Sequence, residues 1–159
     1  MYKTVLEEPW RSFLLELDTH LSEPVEMHCC GGFPMNMAYG SPRPTGDIDF
    51  MSVTPRSLSN QLLLLAGVGS ILSRKHRLYL HSVFTNLPDD YETRISPLFP
   101  GQLEYIRLFS LEAHDLALAK LERNDARDRQ DVSYLAHARL IDPETLQQRY
   151  RQEMRPYLG

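Results

Sequence analysis

The fold prediction starts from residues 29–53, CCGGFPMNMAYGSPRPTGDIDFMSV. In this stretch Gly31 and Gly32 end one apolar run, and the alternating segment Asp47-Ile48-Asp49-Phe50 follows. Glycine at the end of a strand lets the backbone approach a ligand, and a helix that begins there directs free N–H groups at an anion. On a strand, Asp47 and Asp49 leave by one face and the two apolar side chains by the other. The stretch therefore favours an anion site next to a metal site.

Length and composition restrict the class of protein. The 159 residues, 42% hydrophobic and 24% charged, are typical of one globular domain with a buried core. A net charge of −4 argues against a broad basic surface for nucleic acid, although a local RNA contact is compatible with it.

Targeting signals and cysteines indicate the compartment. The longest apolar run, residues 62–68, is too short to cross a bilayer, and residues 1–10 carry two acids where a secretion signal would carry bases. We therefore expect a cytoplasmic protein with no membrane contact. Cys29 and Cys30 are adjacent in a predicted buried strand whose side chains alternate between faces, so we expect no disulfide between them.

The apolar periodicity predicts an α/β or α+β fold. A first helix follows Pro9, because Trp10, Phe13 and Leu17 recur at helical spacing. The same reasoning predicts strands at 25–30, 46–53, 78–84 and 103–109, and the last of these is expected to pair with residues 95–99. It also predicts helices at 33–39 and 55–65, and glycines 67 and 69 end the second helix.

Helical patterns dominate the end of the chain. Three segments follow Leu111, and the last begins at Asp142-Pro143, an N-cap residue followed by proline at the first helical position. We expect residues 1–110 to form a core with a small mixed sheet and flanking helices. Residues 111–159 are expected to form a helical C-terminal segment packed on that core, giving one compact domain.

Asp47 and Asp49 have a spacing that suits metal binding. Their backbone positions on a strand lie roughly 6–7 Å apart, so the side chains can converge on one ion, or hold two Mg²⁺ ions about 3.5–4 Å apart. Asp-x-Asp alone also occurs on the solvated face of an edge strand, and Gly-Gly alone can be a tight turn. Their proximity favours the functional interpretation, because nucleotide chemistry needs phosphate and cation recognition together.

These motifs resemble the polymerase-beta-type nucleotidyltransferase superfamily, in which a Gly-Gly turn binds the triphosphate and Asp-x-Asp binds metal. More narrowly, the chain is similar to an uncharacterised bacterial nucleotidyltransferase-like family distantly related to AbiEii-type abortive-infection toxins. The resemblance rests on residues 31–33, 39–40, 43–45 and 47–49, and continues through 90–92, 94, 115–124, 127–129 and 131–132.

The resemblance implies further site residues. Lys120 would contact nucleotide phosphates, Asp128 or Asp131 would act as a supporting acid, and Arg43 would help to neutralise phosphate charge. Lys120 and Arg123 lie one helical turn apart, as do Asp128 and Asp131, so these residues can equally form ion pairs on a solvated helix.

One feature departs from that superfamily. A third carboxylate on a later strand commonly activates the attacking hydroxyl there, but residues 78–84 contain no acid, and His81 stands in this segment. We expect His81 and His28 to be partly buried strand histidines with satisfied rings. The residues left as candidates for the third carboxylate are Glu104, Asp89, Asp90 and Glu92.

The sequence favours a Mg²⁺-dependent nucleotidyltransferase that moves a nucleotidyl group from a nucleoside triphosphate to an acceptor hydroxyl. The acceptor can be a tRNA end, a protein or a small molecule, and a toxin–antitoxin role is compatible. The alternative is a catalytically inactive nucleotide-binding or partner-binding module of the same fold, such as one half of a toxin–antitoxin pair. A dehalogenase-type phosphatase is disfavoured by Met51, and a glycosyltransferase by the short sequence before Asp47.

Overall fold

The structure is a computed structural model that describes residues 5–157. By internal contacts the chain forms two compact units. The first contains the residues up to Val83 together with Pro97–Ser110, and the second contains Phe84–Ser96 together with the residues from Leu111 onward. Residues 1–4, on which part of the secretion-signal argument rests, lie outside the described residues. Within residues 5–157, no helix combines the length and the apolar character needed to span a membrane.

A five-stranded mixed sheet organises the described chain, as predicted. Its strand order is β3-β2-β1-β5-β4, with β1 antiparallel to β2 and parallel to β5, and β2 parallel to β3. The strands are β1 (Val25–Cys30), β2 (Asp47–Thr54), β3 (Tyr79–Ser82), β4 (Ser96–Leu98) and β5 (Ile106–Ser110). β1 is the central strand and is buried at five of its six positions; four of the buried residues are apolar and the fifth is His28. Cys29 and Cys30 in β1 are buried and free.

Four α-helices belong to the first unit: α1 (Trp10–Thr19), α2 (Gly32–Met37), α3 (Ser59–Ala66) and α4 (Ile71–His76). The sequence predicted the first three. The prediction for the region after Gly67 was incomplete, because α4 lies there and β3 covers only Tyr79–Ser82 of the predicted strand. Ser70 caps α4 by accepting a hydrogen bond from the Ser73 N–H at 3.1 Å, and Arg77 ends the helix in the left-handed conformation.

Helix α1 is joined to the start of β5 through one carboxylate. Asp18 is 6% exposed, and its two oxygens accept hydrogen bonds from the N–H groups of residues 104, 105 and 106 at 2.8, 2.9 and 2.9 Å. Because Val25 is opposite Ile106 in the parallel pair, this contact lies at the Val25 end of β1.

The second unit consists mainly of the predicted C-terminal helices, α5 (Ala113–Arg123), α6 (Ala126–His137) and α7 (Pro143–Arg149). Asp142 caps α7 by accepting a hydrogen bond from the Thr145 N–H at 2.8 Å, which confirms the predicted helix start. Within this unit Arg94 forms a two-pronged ion pair with the fully buried Asp115 and a second pair with Glu153. This cluster ties segment Phe84–Ser96 to the helices.

Candidate functional site

The two aspartates of the Asp-x-Asp motif lie at the start of β2, beside β3. The parallel register places Asp47 opposite Tyr79 and Asp49 opposite His81. On the other side of β2, Asp49 is opposite Cys30, the last residue of β1. Asp47 and Asp49 are both half-buried, whereas Ile48 between them is completely buried. The predicted alternation is therefore present, and both carboxylates leave by one face of the sheet.

Gly31 lies directly against the carboxylate of Asp49. Its backbone has φ of 76° and ψ of −148°, a conformation that residues with a side chain rarely adopt. A Cβ atom at this position would be 2.4 Å from Asp49 Oδ2. The backbone conformation therefore favours glycine at position 31, and a side chain there would in addition displace the Asp49 carboxylate.

Gly32 connects the glycine pair to the loop before β2. It is the first residue of α2, and a Cβ atom there would be 3.3 Å from Thr45 Oγ1. The Thr45 hydroxyl donates to the backbone carbonyl oxygen of Asp47 at 3.2 Å. The structure thus brings together Gly31, Gly32, Asp47 and Asp49, which the sequence singled out.

Asn36 anchors the loop that carries Arg43. Its side-chain amide donates to the backbone carbonyl oxygens of Ser41 and Arg43 at 2.8 and 3.2 Å. Arg43 itself is half-buried, and its predicted role with phosphate stays a prediction.

His81 is the residue of this site that the sequence reasoning missed. Its Nδ1 atom lies 3.0 Å from Asp49 Oδ1, and its side chain is 54% exposed. Ligand atoms of Asp47, Asp49 and His81 all lie within 4.8 Å of one another. The prediction of a partly buried His81 is therefore wrong, whereas His28 is buried, with its ring against Phe109. One feature of the sequence could have identified His81 as a site residue: it lies on the strand where the resemblance places a third carboxylate.

Charge repulsion and burial act together on the carboxylates. Burial first, and then the negative charge of Asp47, raise the pKa of Asp49, although the hydrogen bond with His81 acts in the opposite direction. The charge of Asp47 also raises the pKa of the neighbouring Tyr79 hydroxyl. A bound cation would relieve this repulsion.

The possible ligand atoms of Asp47, Asp49 and His81 suit a divalent cation. Carboxylate oxygens are the protein ligands that Mg²⁺ uses, and it typically takes one or two of them together with substrate phosphates. An imidazole nitrogen is a common ligand of first-row transition metals. Asp47 and Asp49 therefore suit Mg²⁺, and the full group of three also suits a transition-metal ion.

Glu104 does not belong to this group. Its N–H donates to Asp18, at the Val25 end of β1, whereas Asp49 is opposite Cys30 at the other end. The two ends of a six-residue strand are separated by about 16 Å. Glu104 is thus removed as a candidate for the third carboxylate. Asp89, Asp90 and Glu92 belong to the second unit.

Lys120, Asp128 and Asp131 form a buried charge cluster within the second unit. Lys120 Nζ lies 2.7 Å from Asp131 Oδ2 and 3.8 Å from Asp128 Oδ1, and all three residues are at most 4% exposed. Arg123 makes a two-pronged pair with Asp128, which also forms a capping box with Asp125 at the start of α6. Each predicted site residue here thus has an internal ion partner, and its role with nucleotide stays a prediction.

Comparison with known proteins identifies the class that this fold and site define. A family model described as "Nucleotidyltransferase of unknown function (DUF6036)" matches residues 12–157. The chain belongs to this family. Neither the curated proteins nor the solved structures gave a match. The predicted resemblance to a nucleotidyltransferase-like family is thereby confirmed, and the mixed sheet with flanking helices is compatible with such a fold.

Proposed function

We propose that this protein is a Mg²⁺-dependent nucleotidyltransferase that transfers a nucleotidyl group from a nucleoside triphosphate to an acceptor hydroxyl. One observation carries the proposal: Gly31, at the N-terminus of α2, is in contact distance of the Asp49 carboxylate. The backbone proposed to bind phosphate therefore lies next to a carboxylate proposed to bind the cation. The relationship to the polymerase-beta-type superfamily and to AbiEii-type toxins is part of this proposal.

The residues of the first unit have distinct roles in the proposal. Asp47 and Asp49 hold one or two Mg²⁺ ions. The N–H groups in the first turn of α2 have no partners within the helix, and Gly31 and Gly32 let the triphosphate approach them. When bound, Mg²⁺ would supply charge stabilisation for the α-phosphate and the leaving pyrophosphate. Arg43 adds positive charge. The resemblance also assigns Lys120, Asp128 and Asp131 to nucleotide binding, but these buried residues pair with one another within the second unit, so the proposal does not depend on them.

A label-transfer assay tests the proposed activity. The protein is incubated with Mg²⁺, cell extract and each α-labelled nucleoside triphosphate in turn. Asp47→Asn and Asp49→Asn should each lower label transfer at least about 100-fold, because each removes a carboxylate that holds the cation needed to stabilise charge on the transferred phosphate. Glu23→Gln, which changes an exposed acid of the same unit, is the matched control and should transfer label normally. Absence of transfer from all four nucleotides, or unchanged transfer by both aspartate variants, would contradict the proposal.

A second candidate is an inactive nucleotide-binding or partner-binding module, such as a member of a toxin–antitoxin pair. It is favoured by β3, Tyr79–Ser82, which contains no acid. Calorimetry separates the two candidates, because the module binds nucleotide without Mg²⁺-dependent turnover. Identification of the labelled product would distinguish a tRNA end, a protein and a small molecule as acceptor. A cytoplasmic location belongs to the same proposal.

A further inference from the structure

The imidazole of His81 occupies a defined place in the carboxylate site. Parallel pairing of β2 and β3 sets His81 opposite Asp49, so both side chains are on the same face of the sheet. The His81 side chain is 54% exposed, while that of Asp49 is 14% exposed. The ring is therefore open to solvent on one side and in contact with the carboxylate on the other.

Neighbouring groups hold both partners in position. The Tyr79 ring meets the His81 ring edge to face, with centroids 6.5 Å apart. Gly31 limits the space on the Oδ2 side of Asp49, whereas His81 contacts Oδ1. Tyr79 therefore lies beside the imidazole, and Gly31 lies beside the carboxylate, of the His81–Asp49 pair.

The distance between these atoms matches adjacent corners of an octahedron. With metal–ligand bonds of about 2.1 Å, neighbouring ligands of an octahedral ion are about 3.0 Å apart. The observed separation of His81 Nδ1 and Asp49 Oδ1 is 3.0 Å. A hydrogen bond explains the same distance, so the experiment must separate ligation from hydrogen bonding.

We propose that His81 is a third metal ligand beside Asp47 and Asp49, and that it makes the site prefer a first-row transition-metal divalent cation such as Mn²⁺ over Mg²⁺. This inference rests on the proposed function of the same site. It assigns the imidazole to the place where the resemblance expects a carboxylate. It keeps the proposed nucleotidyl transfer and the cation site, but makes a transition-metal ion, rather than Mg²⁺, the cation that binds more tightly.

The preference follows from charge and ligand type. Two carboxylates and a neutral imidazole carry two negative charges, whereas three carboxylates carry three. Mg²⁺ binds oxygen ligands and gives up its water reluctantly, so it gains little from a nitrogen donor. First-row transition-metal ions accept imidazole more readily than Mg²⁺ does; within that series Mn²⁺ binds a nitrogen ligand least strongly, so it sets the lower limit of the preference. Replacing the third carboxylate by histidine therefore weakens Mg²⁺ binding more than Mn²⁺ binding.

Metal binding without nucleotide tests this directly on the full chain. Calorimetry measures the affinities for Mn²⁺ and Mg²⁺ in the parent protein, in His81→Ala and in His81→Asp. Pulsed EPR of bound Mn²⁺ measures coupling to a ligand nitrogen. His20→Ala, which changes an exposed histidine of the same unit, is the matched control. Since His81 is largely exposed, His81→Ala is expected to fold, and circular dichroism verifies this.

We expect nitrogen coupling in the parent protein and in His20→Ala, and none in His81→Ala. Mn²⁺ affinity should fall at least about 10-fold in His81→Ala, because loss of a direct ligand should cost no less than loss of an outer-shell partner, while Mg²⁺ affinity changes less than about 3-fold. His81→Asp should raise Mg²⁺ affinity.

Equal losses for both metals would show that His81 only orients Asp49, and would overturn the inference. Absence of nitrogen coupling with Mn²⁺ bound, or of Mn²⁺ binding altogether, would overturn it as well. Because no step of the test requires nucleotidyl transfer, its failure is distinguishable from failure of the proposed activity.

Discussion

Gly31→Ala should strongly destabilise the first unit. The backbone at Gly31, with φ of 76° and ψ of −148°, lies in a region where a residue with a side chain costs about 1–3 kcal/mol. The added Cβ would also be 2.4 Å from Asp49 Oδ2, and overpacking of this kind costs about 1–3 kcal/mol. We therefore expect the free energy of unfolding to fall by about 2–6 kcal/mol, a large fraction of the stability of a typical domain.

Urea denaturation followed by the fluorescence of Trp10 measures this change, since Trp10 is the single tryptophan and is 3% exposed. Gly46→Ala is the matched control, because a Cβ there would meet no atom within 4 Å. That variant should be as stable as the parent protein, or up to about 1 kcal/mol more stable.

A double-mutant cycle separates the two contributions at Gly31. Asp49→Ala removes Oδ2, so Gly31→Ala should cost about 1–3 kcal/mol less in that background. Asp49→Asn keeps an atom at the same place and should give no such relief. A loss below about 0.5 kcal/mol for Gly31→Ala, or an equal loss in the parent and Asp49→Ala backgrounds, would refute the reasoning.

Two other perturbations test the structure away from the site. Asp18→Asn should lower the free energy of unfolding by about 2–4 kcal/mol, because one of the two oxygens that accept hydrogen bonds from the N–H groups of residues 104–106 becomes a donor. Urea denaturation measures this loss, with the exposed Glu23→Gln as control. A loss below about 1 kcal/mol would contradict the prediction. Burial raises the pKa of Glu153, but the hydrogen bonds from Arg94 and from the Asp90 N–H, together with the positive charges of Arg94 and Arg149, outweigh it and leave the pKa below its ordinary value. The stabilisation is therefore present above about pH 4.3 and is lost as the pH falls through the lower folded-state pKa. Unfolding free energies of the parent protein and Glu153→Gln at pH 3–7 should differ by a constant amount above about pH 5.5 and converge in acid; convergence between pH 7 and 5.5 would contradict this.

Local signals were sufficient for the elements next to the site. Proline after an N-cap residue marks the start of α7, and the Gly-Gly step marks the end of β1 and the start of α2. Helix α4 was missed because two nearby glycines outweighed the weaker signal of Ser70 as N-cap followed by basic residues in the last turn. Six residues offer too few apolar positions for periodicity to be recognised.

Contacts between separate helices could not be predicted from local sequence signals. Lys120 and Asp131 stand 11 residues apart on two helices, and only the packing of α5 against α6 joins them in a 2.7 Å ion pair. The sequence placed the same residues in a nucleotide site by resemblance. Spacing along a helix shows which residues share a face, but it does not show what packs against that face.

The sequence alone determined that Asp47 and Asp49 share one face of a strand, because side chains alternate with a period of two residues. It also determined that a glycine pair precedes them. Only the tertiary structure showed that Gly31 lies against Oδ2 of Asp49. It also showed that His81, 32 residues after Asp49 in the sequence, contacts the other carboxylate oxygen, Oδ1. The register of parallel strands depends on the crossover between them and on burial of the whole sheet, and no local pattern in the sequence encodes those contacts.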